Sequence, residues 1–332
     1  MSSYPVEDFR SLRVAVLAGG DSSERQISIV SGWQVVSALE AAGHEPTWID
    51  PAECDLAQSS PPLRGGSVAE RRTTMWDQFD ACFIALHGGA GEDGRIQQQL
   101  ERIGVPFTGS GPTASRLAMS KSASKERFLP AGVPTPEYAL VHVSDDQRDC
   151  AQRVARLGYP VVVKPDSQGS SLGVGIADGP RQLDECLAAS FAFDQYAVIE
   201  RLVRGREFTV SLLDRRPLPL LEIVAADPVF SFDAKYSSPE TQYRFDSGLS
   251  SAVEALLSHT AVEAADALGT RGLVRVDLML DEQQRPSVLE VNTIPGLTAR
   301  SLAPQAAARA GITMPALCTW MVHDCMTRET VA

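Results

Sequence analysis

Short apolar runs alternate with longer amphipathic stretches over the first third of the chain. The runs at 14–18 (VAVLA) and 81–87 (ACFIALH) are typical of buried strands, and a further strand is predicted just before Asp50. Helices are predicted from about Arg25 to Ala42 and over 95–103. This alternation of strand and helix predicts a parallel sheet with helices on both of its faces.

Capping and turn residues set the limits of these elements. Ser23 and Gln26 have the spacing of a capping box and predict the start of the first helix, and Gly43 predicts its end. The stretch 58–72 is rich in proline, glycine and serine, so we predict a surface loop there.

Beyond about Thr108 the predicted strands are shorter and more numerous. They are expected at 161–165, 174–177, 207–213, 218–224, 272–280 and 287–291. The helices predicted in this region lie around 112–131, at 181–190, near 251–268 and in two segments close to the C-terminus. The strict strand–helix alternation of the first third therefore gives way to a mixed architecture.

Composition narrows the possible classes of function. The chain has 332 residues, of which 44% are hydrophobic and 22% charged, as in an ordinary globular protein. Its net charge of −12 argues against a nucleic-acid partner, because phosphate-backbone binding relies on an excess of basic residues. The six cysteines are scattered without a CxxC pair, no apolar run approaches about 18 residues, and the N-terminus lacks a signal-peptide core. We therefore expect a cytoplasmic protein without a membrane span.

The segments RGLVRVDLML and SVLEVN carry the strongest local signal for chemistry. Because side chains alternate along a strand, Arg275 and Asp277 share one face of the first segment, and Glu290 and Asn292 share one face of the second. The short connection between the segments permits antiparallel pairing, which would bring two carboxylates and an amide oxygen together. Hard oxygen ligands of this kind suit Mg²⁺ held with nucleotide phosphates. The alternative interpretation is the solvent-facing side of a hairpin.

A second signal lies between two predicted strands, where Lys164 precedes the loop 168–173 (QGSSLG). Glycines allow a backbone to approach phosphates closely, serines add donors, and a lysine supplies a point charge. The loop lacks the G-x-x-x-x-G-K-[ST] pattern of a Walker A motif. A flexible surface hairpin is therefore at least as good an interpretation of this segment alone.

The turn at 89–94 (GAGEDG) matches the G-x-G-x-x-G pattern of dinucleotide-binding folds. Glu92 and Asp93 would place negative charge against a pyrophosphate, and no acidic residue follows at the expected distance. We therefore treat NAD binding as the weaker interpretation.

Some single residues become candidates only in combination with these motifs. Glu24 lies at a predicted helix start, His87 ends an apolar strand, and Lys235 and Tyr236 lie in a polar irregular stretch. Taken alone, they fit a first-turn acid favoured by the helix dipole, a partly buried histidine and an ordinary loop.

Taken together, the motifs resemble those of the D-alanine:D-alanine ligase family, in family order, from about Val14 to Ile312. The resemblance is carried by AVLAGGDSSERQIS, ALHGGAGEDGRIQ, PFTGSGPTASRLAMSK, VVVKPDSQGSSLGV, VIERLVRGREFTV, FDAKYSSPETQY, and LVRVDLML followed by LEVNTIPGLTARSL. It implies a three-subdomain ATP-grasp fold of α/β and α+β type, beginning with a parallel α/β substrate-binding domain at 1–109. A central lid subdomain at 110–200 and a C-terminal subdomain at 201–332, with an omega loop and the metal site, would complete it.

The resemblance also implies a site for ATP and two Mg²⁺ (or Mn²⁺) ions. The residues that match the family's nucleotide contacts are Lys121, Lys164, Ser171, Glu200, Leu202 and Glu207. Glu200 would contact the adenine amino group, the Leu202 backbone would contact the ring, and Glu207 would bind the ribose hydroxyls. The matching metal ligands are Asp277, Glu290 and Asn292.

A second set of residues matches the contacts to the amino-acid substrates: Glu24, His87, Ser170, Lys235, Tyr236, Arg275, Gly296, Ser301 and Leu302. Glu24, with His87 nearby, would hold the ammonium of the first D-alanine, while Arg275 and the Gly296 backbone would bind the oxyanion. Ser301 and the Leu302 N–H would hold the second carboxylate near a helix N-terminus. Tyr236, on an omega loop with Lys235, would close the site. Its partners would be Ser170 and Glu24.

The implied activity is ATP-dependent ligation of two D-alanine molecules through a D-alanyl phosphate, for peptidoglycan precursor synthesis, by a homodimeric enzyme. Tyr236 favours an amine acceptor, because family members that use D-lactate usually carry Phe or His at this position. The alternatives are another ATP-grasp amino-acid ligase, a nucleotide-binding protein without ligase activity, and an NAD-dependent enzyme that uses the 89–94 turn.

The chain departs from the family pattern at Gln26, Gly89, Gln168, Ile294 and Arg300. These changes leave the predicted ATP and metal residues intact. We expect them to bear on acceptor specificity and efficiency, because Arg300 borders the predicted pocket for the second substrate.

Overall fold

The computed structural model describes residues 10–54, 56, 75–224 and 242–327. The predicted loop at 58–72 and the candidate residues Lys235 and Tyr236 lie outside these ranges. The chain divides into two compact units. The N-terminal unit comprises 1–113, 271–273 and 293–332, and the central unit comprises 114–270 and 274–292.

The strands of the described residues are numbered along the chain. They are β1 (Arg13–Leu17), β2 (Glu45–Ile49), β3 (Ala81–Ile84), β4 (Tyr138–His142), β5 (Val161–Pro165), β6 (Gly175–Ala177), β7 (Tyr196–Arg201), β8 (Gly205–Leu213), β9 (Arg216–Pro217), β10 (Leu221–Val224), β11 (Gln242–Arg244), β12 (Leu273–Asp281) and β13 (Pro286–Asn292).

The α-helices of the same residues are α1 (Arg25–Ala41), α2 (Arg95–Ile103), α3 (Pro112–Met119), α4 (Lys121–Ala131), α5 (Gln147–Leu157), α6 (Pro180–Phe191), α7 (Ser251–Leu268), α8 (Leu302–Arg309) and α9 (Met314–Thr327). Short 3₁₀ helices lie at Met75–Gln78 and Gly89–Gly91. The helices predicted near 25–42, 95–103, 181–190 and 251–268 are confirmed to within one residue at either end.

The N-terminal unit is built on a parallel sheet, as its strand–helix alternation predicted. β1 lies between β2 and β3, and both pairings are parallel. Leu17 of β1, Ile84 of β3 and Leu100 of α2 belong to one buried apolar cluster, since strand and helix each turn an apolar face inward. α1 packs against β2 and α9. The loops after β1 and β3 therefore leave the same edge of the sheet, where ligands commonly bind in open parallel sheets.

The central unit contains two further sheets. One is antiparallel with the strand order β4-β7-β5-β6, and the other has the order β11-β10-β8-β12-β13, with β9 paired to β8. Along β5, Val161 and Val163 are fully buried in an apolar core, whereas Val162 and Lys164 lie on the opposite face with partial exposure. This alternation presents Lys164 on the face that does not pack against the core.

The predicted capping box at Ser23 and Gln26 is wrong. The residue that precedes α1 is Glu24, and no side chain caps the helix at this position. Ser22 instead bonds the turn: its hydroxyl donates to the His87 carbonyl and accepts from the Glu24 N–H, at 2.6 and 3.2 Å. The tertiary contact between two loops therefore replaces the local motif that the spacing predicted.

Two other predicted boundaries also change. The helical stretch 112–131 divides at Ser120, whose side chain caps α4 by accepting from the Ala123 N–H. The strand predicted at 218–224 shortens to β10, and a two-residue strand, β9, precedes it. Pro219 has no N–H to donate, so the ladder is interrupted between the two.

In the part of the chain that the structure describes, no helix combines the length and the apolar character needed to cross a bilayer. The division into three domains with boundaries at 109 and 200 stays a prediction.

Candidate active site

The ribbon formed by β12 and β13 places its four polar side chains on one face. The strands are antiparallel, with Arg275 opposite Asn292 and Asp277 opposite Glu290. Residues directly opposite each other share a face, and their Cβ atoms lie about 5 Å apart. The side chains that face the other way, Val276 and Leu278 among them, are buried in the apolar core. The ribbon is therefore not a hairpin with a purely solvated side.

Arg275 and Asp277 are joined by a buried ion pair on this face. The guanidinium donates through Nε and Nη2 to the two carboxylate oxygens, at 2.9 and 2.8 Å. The Thr209 hydroxyl donates to the same carboxylate at 2.7 Å. The side chains of Arg275 and Asp277 are 14% and 5% exposed, so both charges are largely removed from water. A bidentate pair of this kind fixes the orientation of both groups.

The donor set fits a divalent cation. Asp277, Glu290 and Asn292 offer hard oxygen atoms on one face, and Glu290 retains 29% exposure of its side chain. Among the described residues, no group of three or more His, Cys, Asp or Glu side chains could hold a metal ion alone. A cation here would therefore need Asn292 and ligand oxygens as well as the two carboxylates.

A buried triad of Lys125, Glu200 and Lys164 lies in the same unit. Glu200 Oε1 lies 3.0 Å from Lys125 Nζ, and Glu200 Oε2 lies 2.7 Å from Lys164 Nζ. The side chains of Lys125 and Glu200 are 1% and 2% exposed, whereas Lys164 keeps 13%. Two cations on one carboxylate leave a net charge of +1, which an anionic ligand could use.

The electrostatics of the triad are dominated by burial and by the pairing that offsets it. Burial disfavours the ionised carboxylate of Glu200, but the two ammonium groups more than compensate and lower its pKa to about 2. Burial would lower the pKa of Lys164, yet the carboxylates of Glu200, Glu290 and Glu207 raise it above its ordinary value. Lys164 is therefore a firmly charged cation, and the influence of Glu290 links the triad to the face of the β12–β13 ribbon.

Asp166 fixes the start of α4, and with it Lys121. Its carboxylate accepts from the Ser120 hydroxyl and from the Ser122 N–H, both at 2.7 Å. The Lys121 ammonium donates to the Gln168 carbonyl at 2.6 Å, so it already contacts the glycine- and serine-rich loop. Burial lowers the pKa of Lys121, and the carboxylate of Glu290 opposes that shift. Lys121 thus lies within electrostatic reach of the ribbon as well.

The loop between β5 and β6 has an unusual backbone. Ser170 and Ser171 adopt φ values of 52° and 56°, in the left-handed region that non-glycine residues seldom occupy. Residues in this conformation cost energy and cluster at ligand-binding loops. Leu172 N–H donates to the Gly169 carbonyl and tightens the turn. The serines therefore sit in a compact loop directly after Lys164 and its strand.

The remaining nucleotide candidates lie on β7, β8 and the segment between them. Glu200 pairs in register with Tyr138 and Val162, so its neighbours across the sheet are an aromatic ring and an aliphatic side chain. Leu202 donates its N–H to the Pro160 carbonyl at 3.2 Å, which leaves its carbonyl for the predicted ring contact. Glu207 is partly buried on β8.

In the N-terminal unit, Glu24 and His87 are brought close by the loops after β1 and β3. A Cβ on Gly88, whose φ is 66°, would lie 2.8 Å from Glu24 Oε2, so only glycine lets the carboxylate lie over this backbone. The His87 ring is buried, with Nε2 bonded to the Ser31 hydroxyl at 2.8 Å and Nδ1 3.6 Å from Glu92 Oε1. A cavity of about 240 Å³ opens beside these loops.

The start of α8 is available to an anion. Ser301 precedes the helix, but its side chain does not cap it. Its hydroxyl instead bonds Thr298, 3.1 Å from the backbone nitrogen and 2.8 Å from Oγ1. The first-turn N–H groups, beginning with Leu302, have no acceptor within the helix itself. Gly296 lies against Ser301, since a Cβ there would stand 2.6 Å from Ser301 Oγ.

The positions that depart from the family pattern separate into two groups. Ile294 is 6% exposed and belongs to the apolar core of the N-terminal unit, so it is a packing residue. Gln26 and Arg300 are exposed, and Gly89 has a φ of 49° that suits glycine. The Gln168 amide donates to the Phe193 carbonyl at 3.3 Å and helps to anchor the loop.

The structure adds residues that sequence reasoning missed. Lys125 and Asp166 organise the charged groups of the central unit, and Glu92 pairs with His87 instead of opposing a pyrophosphate. One signal could have identified Lys125. Only four of the 30 basic residues are lysines, at positions 121, 125, 164 and 235, and the other three had already been assigned to the site.

A parallel α/β unit, together with two sheets that carry buried lysines and an acidic ribbon, defines a protein of the ATP-grasp class. Models of the D-ala D-ala ligase N-terminus and C-terminus match residues 51–110 and 128–323 of the chain. The second match alone covers more than half of the sequence. The chain belongs to the D-alanine–D-alanine ligase family, which confirms the resemblance found in its motifs.

Individual relatives agree with this assignment. The D-alanine–D-alanine ligases of Gloeobacter violaceus and a Synechococcus species are each 41% identical to the chain, over 91% and 96% of its length and 95% of their own. The crystal structure of the Bacillus anthracis D-alanine–D-alanine ligase complexed with ATP is similar, with a TM-score of 0.78 and 30% identity. It covers 96% of this chain and 98% of that one.

Proposed function

We propose that the chain joins two D-alanine molecules to D-alanyl-D-alanine, with conversion of ATP to ADP and phosphate, as a step in peptidoglycan precursor synthesis. The observation that carries the proposal is the shared face of β12 and β13. There Arg275, Asp277, Glu290 and Asn292 lie together, and Glu290 acts electrostatically on both Lys121 and Lys164. Cations and oxygen ligands in one place are what phosphoryl transfer needs.

In the first step, the carboxylate of one D-alanine attacks the γ-phosphate of ATP, which gives D-alanyl phosphate and ADP. Lys164, with its raised pKa, and Lys121 would bind the phosphates and neutralise their charge. Ser170 and Ser171, in their tight loop, would add donors around the phosphates. Glu24 would hold the ammonium of this D-alanine beside Gly88 and so orient its carboxylate.

In the second step, the neutral amine of the other D-alanine attacks the acyl carbon, and phosphate leaves from the tetrahedral intermediate. Arg275 and the Gly296 backbone would stabilise the oxyanion that forms. Because Arg275 donates to Asp277 through two nitrogens, its position is set before the reaction and costs no reorganisation. The open first turn of α8, at Ser301 and Leu302, would bind the carboxylate of the attacking amino acid.

Two Mg²⁺ (or Mn²⁺) ions are proposed at Asp277, Glu290 and Asn292, since these residues provide the oxygen ligands. When bound, such ions neutralise charge on the transferring phosphoryl group. Asp277 would share its carboxylate between a cation and Arg275, which ties the orientation of the arginine to the metal site.

Product analysis by mass after incubation with MgATP and a panel of D-amino and D-hydroxy acids tests the proposal directly. D-alanine should give D-alanyl-D-alanine with one phosphate released per dipeptide. D-Lactate should give no faster phosphate release near neutral pH, because Tyr236 favours an amine acceptor. Faster turnover with D-lactate would overturn the acceptor assignment, and a different dipeptide would point to another amino-acid ligase.

The other classes of function predict different outcomes of the same assay. A nucleotide-binding protein without ligase activity would be stabilised by MgATP but would release no ADP on addition of D-alanine. An NAD-dependent enzyme would bind NADH and gain no thermal stability from ATP. The engagement of Glu92 and Asp93 with His87 and Arg95 gives the 89–94 turn a role inside the protein instead.

A cytoplasmic location and a homodimer are part of the proposal. All six cysteines are free thiols, as expected in a reducing compartment. The homodimer rests on the family resemblance, and light scattering coupled to size exclusion would test it through a mass of about twice the 35.7 kDa of the chain.

A further inference from the structure

Lys125 is the most deeply buried cation of the central unit, and the steps proposed above do not use it. Its side chain is 1% exposed on α4, one helical turn after Lys121. Its ring neighbour is Tyr138, whose centroid lies 5.3 Å from Nζ. Burying an ammonium is costly unless every N–H finds a partner, so its presence at this position requires an explanation.

Every hydrogen of the Lys125 ammonium has an acceptor inside the protein. Nζ lies 2.6 Å from Thr135 Oγ1, 3.1 Å from the Pro136 carbonyl and 3.0 Å from Glu200 Oε1. Thr135 in turn donates its own hydroxyl to the Val288 carbonyl, so it can only accept from the lysine. Three acceptors match the three donors of an ammonium. Lys125 therefore has no N–H left for a direct contact with a nucleotide.

The charge of Lys125 is what keeps a positive charge on Lys164 available. Without Lys125, Glu200 and Lys164 would form a neutral pair and present no net charge to a polyphosphate. With it, the triad carries +1, and Lys164 is the member that retains exposure, at 13%. Lys164 has three donors and gives one to Glu200 Oε2, so it has the geometry to serve both Glu200 and a ligand.

The use of lysine in this chain points the same way. Only four of its 30 basic residues are lysines, and the proposed function assigns Lys121, Lys164 and Lys235 to the site. Lysine differs from arginine in carrying a compact point charge without a planar fork. The three tightly spaced acceptors around Lys125 fit such a group.

We propose that Lys125 is a positioning residue of the nucleotide site: it balances Glu200 so that Lys164 can bind the phosphates of ATP. This inference rests on the proposed function, because it takes the phosphates of ATP as the ligand of Lys164. It assigns Lys125 no contact with substrate, and it predicts a defect confined to the charged part of the nucleotide.

The test compares the binding of ADP with magnesium and of adenosine to the full chain by calorimetry. Lys125→Met keeps the length of the side chain and removes the charge. We expect ADP to bind about tenfold more weakly, because one charge-assisted contact is weakened, while adenosine binding stays within about twofold. Arg181→Met, which removes a fully exposed charge from the same unit, is the matched control and should change neither.

A double variant separates charge balance from a loss of shape. Lys125→Met with Glu200→Gln restores the net charge to +1 and keeps a carbonyl oxygen at position 200. ADP should then bind within about threefold of the parent protein. Equal weakening of ADP and adenosine in Lys125→Met, or a double variant that binds ADP no better than Lys125→Met, would overturn the inference.

Folding defects and failure of the proposed function remain distinguishable in this design. If Lys125→Met does not fold, the double variant, which buries no unpaired charge, carries the test alone: parent-like ADP affinity is expected, and weak binding counts against the inference. A parent protein that binds neither ADP nor ATP would instead reject the proposed function itself.

Discussion

The two units of the chain solve the problem of buried polar groups in different ways. In the N-terminal unit, buried polar side chains such as Ser28, Ser31 and His44 are satisfied by neutral hydrogen bonds. Its buried carboxylate among the described residues, Asp50, pairs with the more exposed Arg25. The central unit instead buries whole ionic groups, in the Lys125–Glu200–Lys164 triad and in the pair of Arg275 with Asp277.

This difference follows from what each unit has to hold. Replacing a buried ion pair with apolar side chains is often neutral or stabilising, so ionic groups are not needed for the fold alone. A net charge held in a dry site, however, interacts strongly with a charged ligand. The central unit therefore gives up stability to keep cations ready for phosphates, whereas the N-terminal unit presents helix starts and glycine turns to small zwitterions.

The largest effect should come from removing the shared carboxylate of the triad. Glu200→Gln leaves two lysines buried without a counter-charge, which should reduce the free energy of unfolding by about 3–5 kcal/mol. Urea unfolding at pH 7 would measure it, with Glu185→Gln on the exposed face of α6 as a control that changes little. A loss below about 1 kcal/mol would show that the triad is not a buried ionic unit.

The second prediction concerns chemistry more than stability. Arg275→Met should lower the rate of phosphate release with D-alanine and MgATP by about 10²–10³-fold, because it removes a preorganised donor to the oxyanion. Arg285→Met, at the far end of the same ribbon and 73% exposed beside Asp281, is the matched control and should be nearly as active as the parent. Equal rates for the two variants would remove Arg275 from the mechanism.

An intermediate effect is expected from crowding the start of α8 in the N-terminal unit. Gly296→Ala would place a Cβ 2.6 Å from Ser301 Oγ and should cost about 1–3 kcal/mol of stability, as overpacking does. Gly111→Ala is the control, since its Cβ would meet only Glu101 Oε1 at 3.6 Å. Adding Ser301→Ala should recover much of the loss in thermal unfolding, and no recovery would show that this contact is not the cause.

The smallest effect should appear in the pH dependence of the N-terminal unit. Burial lowers the pKa of His44, whose Nδ1 accepts from the Leu12 N–H. The unfolded chain then binds the proton more readily, so stability should fall gradually as the pH drops below the ordinary histidine value of about 6.5. His323, 6.0 Å away between ring centroids, has a pKa lowered by burial and should add to the same slope.

His44→Gln should make that decline shallower, and His259→Gln, on the exposed surface of α7, should leave it unchanged. Unfolding curves recorded between pH 7 and pH 5 would measure both. The acidic partner of the comparison behaves differently. The pKa of Glu200 is about 2 when folded and near its ordinary value when unfolded, so its stabilisation is present at pH 5 and is lost only as the pH falls from about 4.5 toward 2.

Much of the fold was predictable from the sequence because strand and helix periods leave clear patterns of burial. Val161 and Val163 alternate with Val162 and Lys164, and that period of two fixes which face carries the lysine. The same rule placed Arg275 with Asp277. The capping box at Ser23 was wrong because a tertiary bond from Ser22 to the His87 carbonyl took its place.

The sequence by itself determined the parallel sheet, the polar face of the β12–β13 ribbon and the family, because each depends on local order along the chain. Only the tertiary structure decided that Lys125 and Lys164 share Glu200, that Glu92 pairs with His87, and that Ile294 packs in a core. These contacts join segments that are far apart in sequence. Their energies depend on burial, and burial is a property of the folded chain that no local pattern of residues specifies.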